Sequence, residues 1–343
     1  MTDMPLFRRL VERAARELIP LDVSLELTRR CNFRCRHCYI PDFHAPDGVS
    51  TSRLLEVLEE LAEMGTLFLA LTGGEPLLRR DWDVVARRAR ELGFQVTLLT
   101  NGSLVDDCAA DTLAELAVQV QISFHGSDPV VFDRVTGRTG SAARVLDGVN
   151  RLRDRGVSVE LKVPVSRLNS DGAAGVLRLA DDLGVEARVY TTIVAARDGN
   201  LAPLEFRLPA RDAVRLSGGP DDGCHLLDEA AEHPAGDGPL CAAGVRFASI
   251  NAAGDVLACN ILPGPAGNIN QASFREIWER SPKLQRIRAI RRSDLPVCST
   301  CSKLPYCGRC HAQALVEDGD ILGPSSAACA HAAALEDATR RGA

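Results

Sequence analysis

Three cysteines, Cys31, Cys35 and Cys38, lie within one eight-residue segment and are followed directly by the aromatic residue Tyr39. The C-x3-C-x2-C spacing places three thiols in a single short loop, which would bind a shared metal centre or form a reactive group. Iron–sulfur clusters are normally held by four thiolates. A loop with three thiols therefore predicts a four-iron cluster with one iron open to a ligand that the protein does not provide.

A second group of cysteines follows in the last third of the chain: Cys241, Cys259, Cys298, Cys301, Cys307, Cys310 and Cys329. Residues 1–20 lack the apolar run of a signal peptide and no stretch has transmembrane length, so we expect a cytoplasmic protein without a membrane partner. That compartment keeps thiols reduced, and the twelve cysteines are therefore expected to bind metal and not to form disulfides. Cys108 and Cys224 stand apart from both groups, and we expect Cys108 to pack within a helix.

The composition is that of an ordinary globular chain. With 343 residues, of which 45% are apolar, it can form two or three domains around a large core. The net charge of −6 gives no indication of nucleic-acid binding, and no nucleic-acid partner is expected.

Residues 22–192 alternate strand-like and helix-like segments, and a glycine follows most of the helices. Strands are predicted at Val23–Thr28, Leu67–Thr72, Gln95–Thr100, Val118–Ser123, Ser158–Val165 and Val185–Thr192. Helices are predicted at Thr51–Met64, Trp82–Leu92, Asp106–Leu116, Ser141–Arg155 and Ala173–Leu183. This order indicates an α/β fold with a parallel sheet, and right-handed crossovers would roll its six units into an open barrel.

Outside this region the chain changes character. Residues 194–240 are rich in Gly, Pro, Asp and Ala and predict a connector with little regular structure. A hairpin is predicted from two strands, Val245–Ile250 and Asp255–Cys259, and terminal helices at residues 4–18 and 330–341. The predicted domains are an N-terminal helix (1–20), the barrel (21–193), the connector (194–240) and a small cysteine-rich C-terminal domain with a final helix (241–343).

Four motifs follow successive predicted strands. The first cysteine loop follows strand one, Gly73-Gly74-Glu75-Pro76 follows strand two, Thr100-Asn101-Gly102 closes strand three, and Ser123 ends strand four. In parallel α/β barrels the residues that do chemistry lie on loops after the carboxyl ends of strands. The four motifs are therefore expected to meet at one rim of the barrel and to form a single site.

The cysteine loop, its aromatic residue and the strand-end motifs together resemble the radical S-adenosylmethionine (SAM) superfamily. The resemblance implies a partial (β/α)6 barrel and a [4Fe-4S] cluster on the three loop cysteines, with SAM on the open iron. The implied SAM-binding residues are Tyr39, Gly73, Gly74, Glu75, Pro76, Asn101 and Ser123. The implied reaction is reductive cleavage of SAM to a 5′-deoxyadenosyl radical, which takes a hydrogen atom from a substrate C–H bond.

Within that set, the resemblance implies a role for each motif. The Gly73–Pro76 segment would bind the amino group of SAM, which agrees with the close backbone approach that glycine permits and with the charge of a carboxylate. Asn101 and Ser123 would lie near the ribose and carboxylate of SAM, and the backbone of Tyr39 near its adenine.

Three further polar residues have less defined roles. Lys162, in the fifth strand, could meet a carboxylate of SAM or of the substrate, or could be an ordinary surface lysine. We expect His37, between two of the cysteines, to be solvent-exposed. His125 stands where relatives often carry an acidic residue, so no role is carried over to it.

The C-terminal cysteines resemble the SPASM extension of peptide-modifying radical SAM enzymes, and the two resemblances together extend over residues 22–331. Two auxiliary clusters, expected to be [4Fe-4S], are implied. The implied ligands are Cys298, Cys301, Cys307 and Cys329 for one cluster, and Cys241, Cys259 and Cys310 for the other. Cys224, His311 or an open iron that binds substrate would complete the second cluster. Zinc is an alternative because C-x2-C occurs twice, but the pairs are only five residues apart and three more cysteines would be unexplained.

These features predict an enzyme that modifies a peptide or protein side chain, forming a thioether, a carbon–carbon crosslink or an oxidised residue. An electron donor such as flavodoxin or ferredoxin is implied. Residues 1–20 are too few for a peptide-binding module, so a separate carrier protein could deliver the substrate. One alternative is tailoring of a small molecule or tetrapyrrole-type cofactor, since enzymes that tailor haem-type cofactors share the extension. Another is a non-catalytic redox sensor, which would not need the Gly73–Pro76 motif.

Overall fold

One continuous sheet of nine strands runs through the part of the chain that this computed structural model describes, residues 6–44, 47–217 and 239–342. The strands are β1 (Asp22–Thr28), β2 (Phe68–Gly73), β3 (Gln95–Thr100), β4 (Gln119–Ser123), β5 (Val159–Pro164), β6 (Glu186–Tyr190), β7 (Phe247–Ile250), β8 (Asp255–Leu257) and β9 (Gly267–Asn268). Their order in the sheet is β6-β5-β4-β3-β2-β1-β7-β8-β9. Strands β1 to β6 are parallel and follow one another in chain order.

Helices connect the parallel strands and cover the ends of the chain. They are α1 (Leu6–Glu17), α2 (Thr51–Glu63), α3 (Trp82–Glu91), α4 (Asp107–Glu115), α5 (Pro129–Thr136), α6 (Ser141–Asp154), α7 (Ala173–Leu183), α8 (Ala210–Ser217), α9 (Phe274–Arg280), α10 (Pro282–Ala289), α11 (His311–Asp318) and α12 (Ser326–Gly342). The predicted α/β fold with a partial (β/α)6 barrel is confirmed, and the six predicted strands differ from β1–β6 by at most two residues at either end. Within the described ranges, no helix has both the length and the apolar character needed to cross a bilayer.

The predicted C-terminal hairpin is present as β7 and β8, but it is part of the barrel sheet. Strand β7 pairs in parallel with β1, with Asp22 opposite Phe247 and Leu25 opposite Ile250. Both edges of β1 are therefore paired, and all seven of its residues are buried. Residue 241 thus does not separate two independent sheets, because the free edge of β1 needs a partner for its backbone hydrogen bonds. The pairing fixes the cysteine-rich segment against the strand that leads into the first cysteine loop.

Several helices lie where none was predicted. Helix α5 lies between β4 and α6, and α8 with the 3₁₀ turn Ala202–Phe206 lies in the connector. Helices α9, α10 and α11 lie in the cysteine-rich region. These helices have eight residues or fewer, so the apolar period of 3.6 residues repeats too few times to be recognised. The terminal helices are present as α1 and α12, although α12 begins four residues earlier than predicted.

The two faces of the sheet differ in polarity. Side chains alternate between the faces of a strand, and in β1 the residues Val23, Leu25 and Leu27 pack into the core beneath the helices. Ser24 and Glu26 of the same strand are buried on the inner face of the barrel. The inner face is therefore polar, and the strands direct polar side chains toward the rim where the sequence motifs lie.

Candidate functional site

The first cysteine loop begins where β1 ends and holds its three thiols close together. None of the cysteines in the described residues forms a disulfide. Burial raises the pKa of the Cys38 thiol to about 11, and burial with the neighbouring Cys38 and Cys31 thiolates raises the pKa of Cys35. Buried thiols that would repel one another as thiolates lose their protons when they bind a metal centre, and the positive charge of the metal then stabilises the thiolates. The three thiols therefore fit an iron–sulfur cluster.

The backbone of this loop is hydrogen-bonded to the end of α5. The N–H groups of Arg34 and Arg36 donate to the carbonyl oxygens of Thr136 and Val135 at 2.8 and 3.3 Å. Gly137 follows with a φ of +65°, and a Cβ there would lie 3.0 Å from the carbonyl oxygen of Arg34. Helix α5 thus positions the loop, although no helix was predicted there. Two signals could have revealed it: the Asp-Pro pair at its start and the glycine after its end.

Gly73 and Gly74 lie directly against the backbone of the first cysteine loop. A Cβ at Gly73 would lie 2.3 Å from the carbonyl oxygen of Thr28, and one at Gly74 would lie 2.5 Å from those of Arg29 and Arg30. The N–H of Gly74 also donates to Thr28 at 2.8 Å. Glycine is therefore required for the two loops to pack together, whether or not a ligand approaches the same backbone.

The carboxylate of Glu75 is fully buried and is engaged within the protein. It accepts hydrogen bonds from the Thr100 hydroxyl at 2.7 Å, the Asn101 N–H at 2.7 Å and the Leu77 N–H at 3.1 Å. Burial raises its pKa to about 7 in spite of these three donors. Glu75 therefore connects the loop after β2 to the loop after β3. The next residue, Pro76, is buried and begins a short 3₁₀ turn.

The side-chain amide of Asn101 connects the loop after β3 to the first cysteine loop. Its Nδ2 donates to Oδ1 of Asn32 at 2.8 Å and lies 4.0 Å from Sγ of Cys31. Its Oδ1 accepts from the N–H and hydroxyl of Ser103 at 2.9 and 2.7 Å, and Asn32 donates to Ser103 at 2.8 Å. Asn32 and Ser103 were not singled out from the sequence. The three side chains form a closed group that fixes one cysteine and directs an N–H toward its sulfur.

His125 and His37 lie together beside Cys35. The Nε2 of His125 is 4.0 Å from Sγ of Cys35, and the centres of the two imidazole rings are 5.3 Å apart. Burial lowers the pKa of His37 to about 4 and that of His125 well below its usual range, so both rings are neutral at pH 7. The Nδ1 of each ring is buried without a hydrogen-bond partner among the described residues. The expected exposure of His37 is wrong, because the turn from Cys35 to Cys38 directs its ring inward against His125.

Tyr39 is held by Arg197, which comes from the segment after β6. The N–H of Arg197 donates to the carbonyl oxygen of Tyr39 at 2.9 Å, and its guanidinium lies 5.3 Å from the centre of the Tyr39 ring. The guanidinium also pairs with Glu26 of β1, and its Nε donates to the carbonyl oxygen of Asn260 at 2.9 Å. Arg197 and Glu26 were missed because a single arginine in a connector and a single glutamate in a strand form no pattern.

Ser123 and Lys162 lie side by side on the inner face of the barrel. Ser123 ends β4 opposite Lys162 of β5. The residues that precede them in the two strands, Ile122 and Leu161, pack into the core on the other face of the sheet. The ammonium group of Lys162 lies 4.9 Å from the centre of the Tyr190 ring. Lys162 is thus on the face that a carboxylate of SAM or of a substrate could reach, and a cation–π contact helps to place it there.

Four of the C-terminal cysteines lie together. Burial raises the pKa of Cys307, and the charges of Cys329, Cys298 and Cys301 add to this effect. Burial also raises the pKa of Cys329, again with contributions from Cys298 and Cys301. Two 3₁₀ turns order the segment that carries three of these residues, and α12 carries Cys329. These are the four cysteines that the resemblance assigned to one auxiliary cluster.

Cys310 and Cys259 form a separate group. Burial raises the pKa of Cys310, and the charge of Cys259 contributes to the increase. The N–H of Gly244 donates to the carbonyl oxygen of Ala258 at 3.0 Å, which places the turn that begins at Cys241 beside Cys259. No three His, Cys, Asp or Glu side chains of the described residues converge as the ligands of a single ion would. Thiolates that bind a cluster stand further apart, because each bonds to a different iron.

Among the candidates for a fourth ligand, His311 lies within the described residues and Cys224 lies outside them. The Nδ1 of His311 is 2.9 Å from Nη1 of Arg309, and burial together with that charge lowers its pKa to about 4. The ring also hydrogen-bonds to the backbone of Ile321. His311 is therefore engaged within the protein. Cys108, which was expected to pack within a helix, is instead exposed, because it lies on the solvent side of α4.

Comparison with known proteins places this geometry in a family. Residues 25–167 match the model of the radical SAM superfamily, and residues 241–302 match SPASM, an iron–sulfur cluster-binding domain. A PqqA peptide cyclase of Xanthomonas campestris is 30% identical over 326 residues, which cover 89% of this chain and 86% of the relative. An AdoMet-dependent heme synthase of Methanosarcina barkeri is 27% identical over 337 residues, which cover 88% of this chain and 94% of the relative.

A solved structure has the same fold. The crystal structure of Streptococcus suis SuiB bound to its precursor peptide SuiA matches with a TM-score of 0.74 at 17% sequence identity. The match covers 94% of this chain and 79% of that chain, so it includes the barrel and the cysteine-rich region. The protein is therefore a member of the radical SAM superfamily of enzymes, which use SAM with an iron–sulfur cluster, and it carries a C-terminal SPASM iron–sulfur domain.

Proposed function

We propose that this radical SAM enzyme modifies a side chain of a peptide or small protein by hydrogen-atom abstraction, forming a thioether, a carbon–carbon crosslink or an oxidised residue. The observation that carries the proposal is the grouping of the cysteines into one loop at the barrel rim and two groups in the region that shares its sheet. A peptide cyclase is among the relatives at 30% identity, and SuiB, which has the same fold, binds a precursor peptide. A peptide substrate accounts for both similarities.

The proposed metal ligands follow the three cysteine groups. Cys31, Cys35 and Cys38 would hold the [4Fe-4S] cluster that binds SAM, and this pair supplies a 5′-deoxyadenosyl radical when bound. The proposed ligands of the two auxiliary clusters are Cys298, Cys301, Cys307 and Cys329 for one, and Cys241, Cys259 and Cys310 for the other. Engagement of His311 by Arg309 leaves Cys224 or an open iron to complete the second auxiliary cluster.

SAM would lie against the rim formed by the loops after β1 to β4. Two of the proposed SAM-binding residues, Glu75 and Asn101, act chiefly by holding these loops together, because their polar atoms are already hydrogen-bonded within the protein. The backbone of Gly73, Gly74 and Tyr39 would then form the contact surface. Ser123 and Lys162, on the inner face, are placed to meet a carboxylate group of SAM or substrate.

Aromatic side chains around Cys35 keep water from this part of the site. The His125 ring lies 5.4 Å from that of Phe132, which lies 5.1 Å from that of Phe124. All three are buried. Chemistry that abstracts hydrogen from an unactivated carbon needs such a dry, closely packed environment, because competing C–H bonds and water must be excluded.

Two partners follow from this proposal. An electron donor such as flavodoxin or ferredoxin would reduce the SAM-binding cluster, and a separate carrier protein could present the peptide. The main alternative substrate is a small molecule or tetrapyrrole-type cofactor, which the 27% identity to a heme synthase favours. A redox sensor without catalytic activity is not favoured. The chain belongs to an enzyme superfamily, and Gly73 and Gly74 pack closely against the first cysteine loop.

The proposal can be tested in two steps. After anaerobic reconstitution, about twelve irons per chain would support three four-iron clusters, whereas about four would remove the auxiliary pair. Incubation with SAM and dithionite should then release 5′-deoxyadenosine. Peptides encoded beside the gene, when added to this reaction, should lose the mass of two hydrogen atoms. Turnover of a porphyrin, with no change in any peptide, would establish the alternative.

A further inference from the structure

An ion pair between Arg197 and Glu26 lies between two of the cysteine groups. Glu26 lies on the inner face of β1, and Arg197 reaches it from the segment after β6. The side chains are only 12% and 1% exposed. Nη1 of the guanidinium donates to Oε2 of Glu26 at 3.2 Å, and Nη2 donates to Oε1. Two parallel hydrogen bonds give a buried pair a specific geometry, so they fix where the guanidinium lies.

Two further hydrogen bonds connect Arg197 to the cysteine groups themselves. Its N–H donates to the carbonyl oxygen of Tyr39, the residue after Cys38, at 2.9 Å. Its Nε donates to the carbonyl oxygen of Asn260, the residue after Cys259, also at 2.9 Å. One residue therefore holds the backbone next to a cysteine of the SAM-binding loop and next to a cysteine of an auxiliary group.

The charge of Arg197 also reaches both groups. The guanidinium lies 5.3 Å from the centre of the ring of Tyr39, the residue after Cys38. Its Nε bonds to the residue after Cys259, so the same charge also lies beside the auxiliary group. Nearby charge is one of the factors that set the potential of an iron–sulfur cluster, and a cation favours the reduced, more negative form.

We propose that Arg197 is a positioning residue that holds the loop carrying Cys259 against the SAM-binding loop, and that its charge raises the reduction potentials of the clusters on both sides. Glu26 places the guanidinium and partly offsets its charge. This inference rests on the proposed cluster ligands, but it does not depend on whether the substrate is a peptide.

The test is a redox titration of each cluster followed by electron paramagnetic resonance, on reconstituted protein of measured iron content. Arg197→Gln leaves the Glu26 carboxylate without its partner, so both potentials should shift to more negative values. Glu26→Gln leaves the cation uncompensated, so they should shift to more positive values. Arg197→Lys keeps the charge, so its potentials should stay near those of the wild type. It loses the Nε–H that donates to Asn260, which should make the auxiliary iron easier to remove.

Arg207→Gln is the matched control. Arg207 is also in the connector and forms a two-point pair with Glu317 of α11, with both distances 2.6 Å, so its loss weakens a comparable connection. The cluster potentials of Arg207→Gln should match those of the wild type. The inference would be overturned if the potentials were unchanged in Arg197→Gln and Glu26→Gln. It would also be overturned if both variants and the control shifted equally in the same direction.

The iron content separates this result from a failure of the proposed function. A wild-type protein with only one cluster removes the ligand assignment, and the inference with it. If the wild type holds every cluster but Arg197→Gln and Glu26→Gln do not shift the potentials in opposite directions, the inference alone is removed. If Arg197→Gln loses its auxiliary iron, the sign of the Glu26→Gln shift decides, because that variant leaves the N–H and Nε donors of Arg197 to Tyr39 and Asn260 in the chain.

Discussion

The backbone N–H of Asn101 donates a 2.7 Å hydrogen bond to the buried carboxylate of Glu75. The Thr100 hydroxyl and the Leu77 N–H bind the same carboxylate. Because Asn101 also bonds to Asn32 of the first cysteine loop, one carboxylate connects three loops of the barrel rim. The charge of Glu75 suggested direct contact with the ammonium group of SAM. Glu75 therefore also organises the rim that would bind SAM.

Replacing this carboxylate by an amide tests that role. In Glu75→Gln one of three buried donors faces an NH₂ group and loses its acceptor, which costs about 1–3 kcal/mol. We expect the apo-protein to lose unfolding free energy of that order in urea titrations at about pH 5, where the wild-type carboxyl group is protonated and no buried charge is lost, and SAM binding to weaken with it. Glu115→Gln, which removes one exposed partner of Arg87, is the control and should change stability by less than about 1 kcal/mol. Equal losses in both variants would contradict the organising role.

The raised pKa of Glu75 makes stability depend on pH. Its value is about 7 in the folded protein and 4.5 in the unfolded chain. Between these values the folded state binds more protons than the unfolded state, so the unfolding free energy falls as pH rises, by up to about 3 kcal/mol across the window. Urea midpoints from about pH 5 to about pH 8 should fall more steeply for the wild type than for Glu75→Gln. Parallel curves would contradict this prediction.

The contact between Gly74 and the first cysteine loop should not tolerate a side chain. In Gly74→Ala the Cβ would lie 2.5 Å from two backbone carbonyl oxygens, and backbone atoms cannot move aside as a flexible side chain can. We expect the loop to be displaced and about four irons per chain to be lost after reconstitution. Gly172→Ala is the control, since Gly172 has ordinary helical φ and open space around its Cβ position. Full iron content in Gly74→Ala would show that the loop adapts.

The strand ends could be predicted because each motif combines two local signals. Thr100-Asn101-Gly102 follows an apolar run and ends in a glycine with a φ of +76°, and Ser123 ends a run with clear alternation. Parallel strands then bring such ends to one rim, whatever the details of packing. The rim and its four motifs are therefore present as predicted, with strand bounds that differ by two residues or fewer.

The contacts between segments could not be predicted in the same way. Arg197 and Glu26 are 171 positions apart, and nothing in either local sequence indicates the other. The pairing of β7 with β1 similarly depends on a free strand edge, which appears only after the barrel has formed. His37 was expected at the surface because its position between the cysteines is variable in the superfamily that the loop resembles, but the fold of the loop turns it inward. Tertiary geometry, more than local propensity, determines these features.

The two kinds of cysteine site should respond differently to mutation. Cys35 belongs to the proposed SAM-binding group, so Cys35→Ala should abolish release of 5′-deoxyadenosine from SAM under dithionite. Cys301 is exposed and belongs to the proposed auxiliary group, so Cys301→Ala should retain SAM cleavage while it lowers the iron content. Circular dichroism of both variants controls for folding. Loss of SAM cleavage in both would mean that the auxiliary site also supports the fold, since metal binding and folding are coupled.

His125 should tune the SAM-binding cluster through its sulfur contact. A hydrogen on Nε2 can be donated to Cys35 at 4.0 Å and leaves Nδ1 as an acceptor without a partner, whereas the other tautomer would bury an unpaired N–H. The first tautomer is therefore expected. Hydrogen bonds to ligand sulfur favour the reduced cluster, so His125→Phe should lower its reduction potential and slow SAM cleavage.

Variants at two positions separate the donated hydrogen bond from packing. His125→Gln keeps an N–H donor and should retain more of the wild-type potential than His125→Phe. His37→Phe keeps the ring contact with His125 and so controls for the aromatic packing. A His125→Phe potential equal to that of the wild type, with full iron content, would contradict the sulfur contact. A shift of the same size in His37→Phe would assign the effect to burial of the site, because that variant leaves the donor at His125 in place.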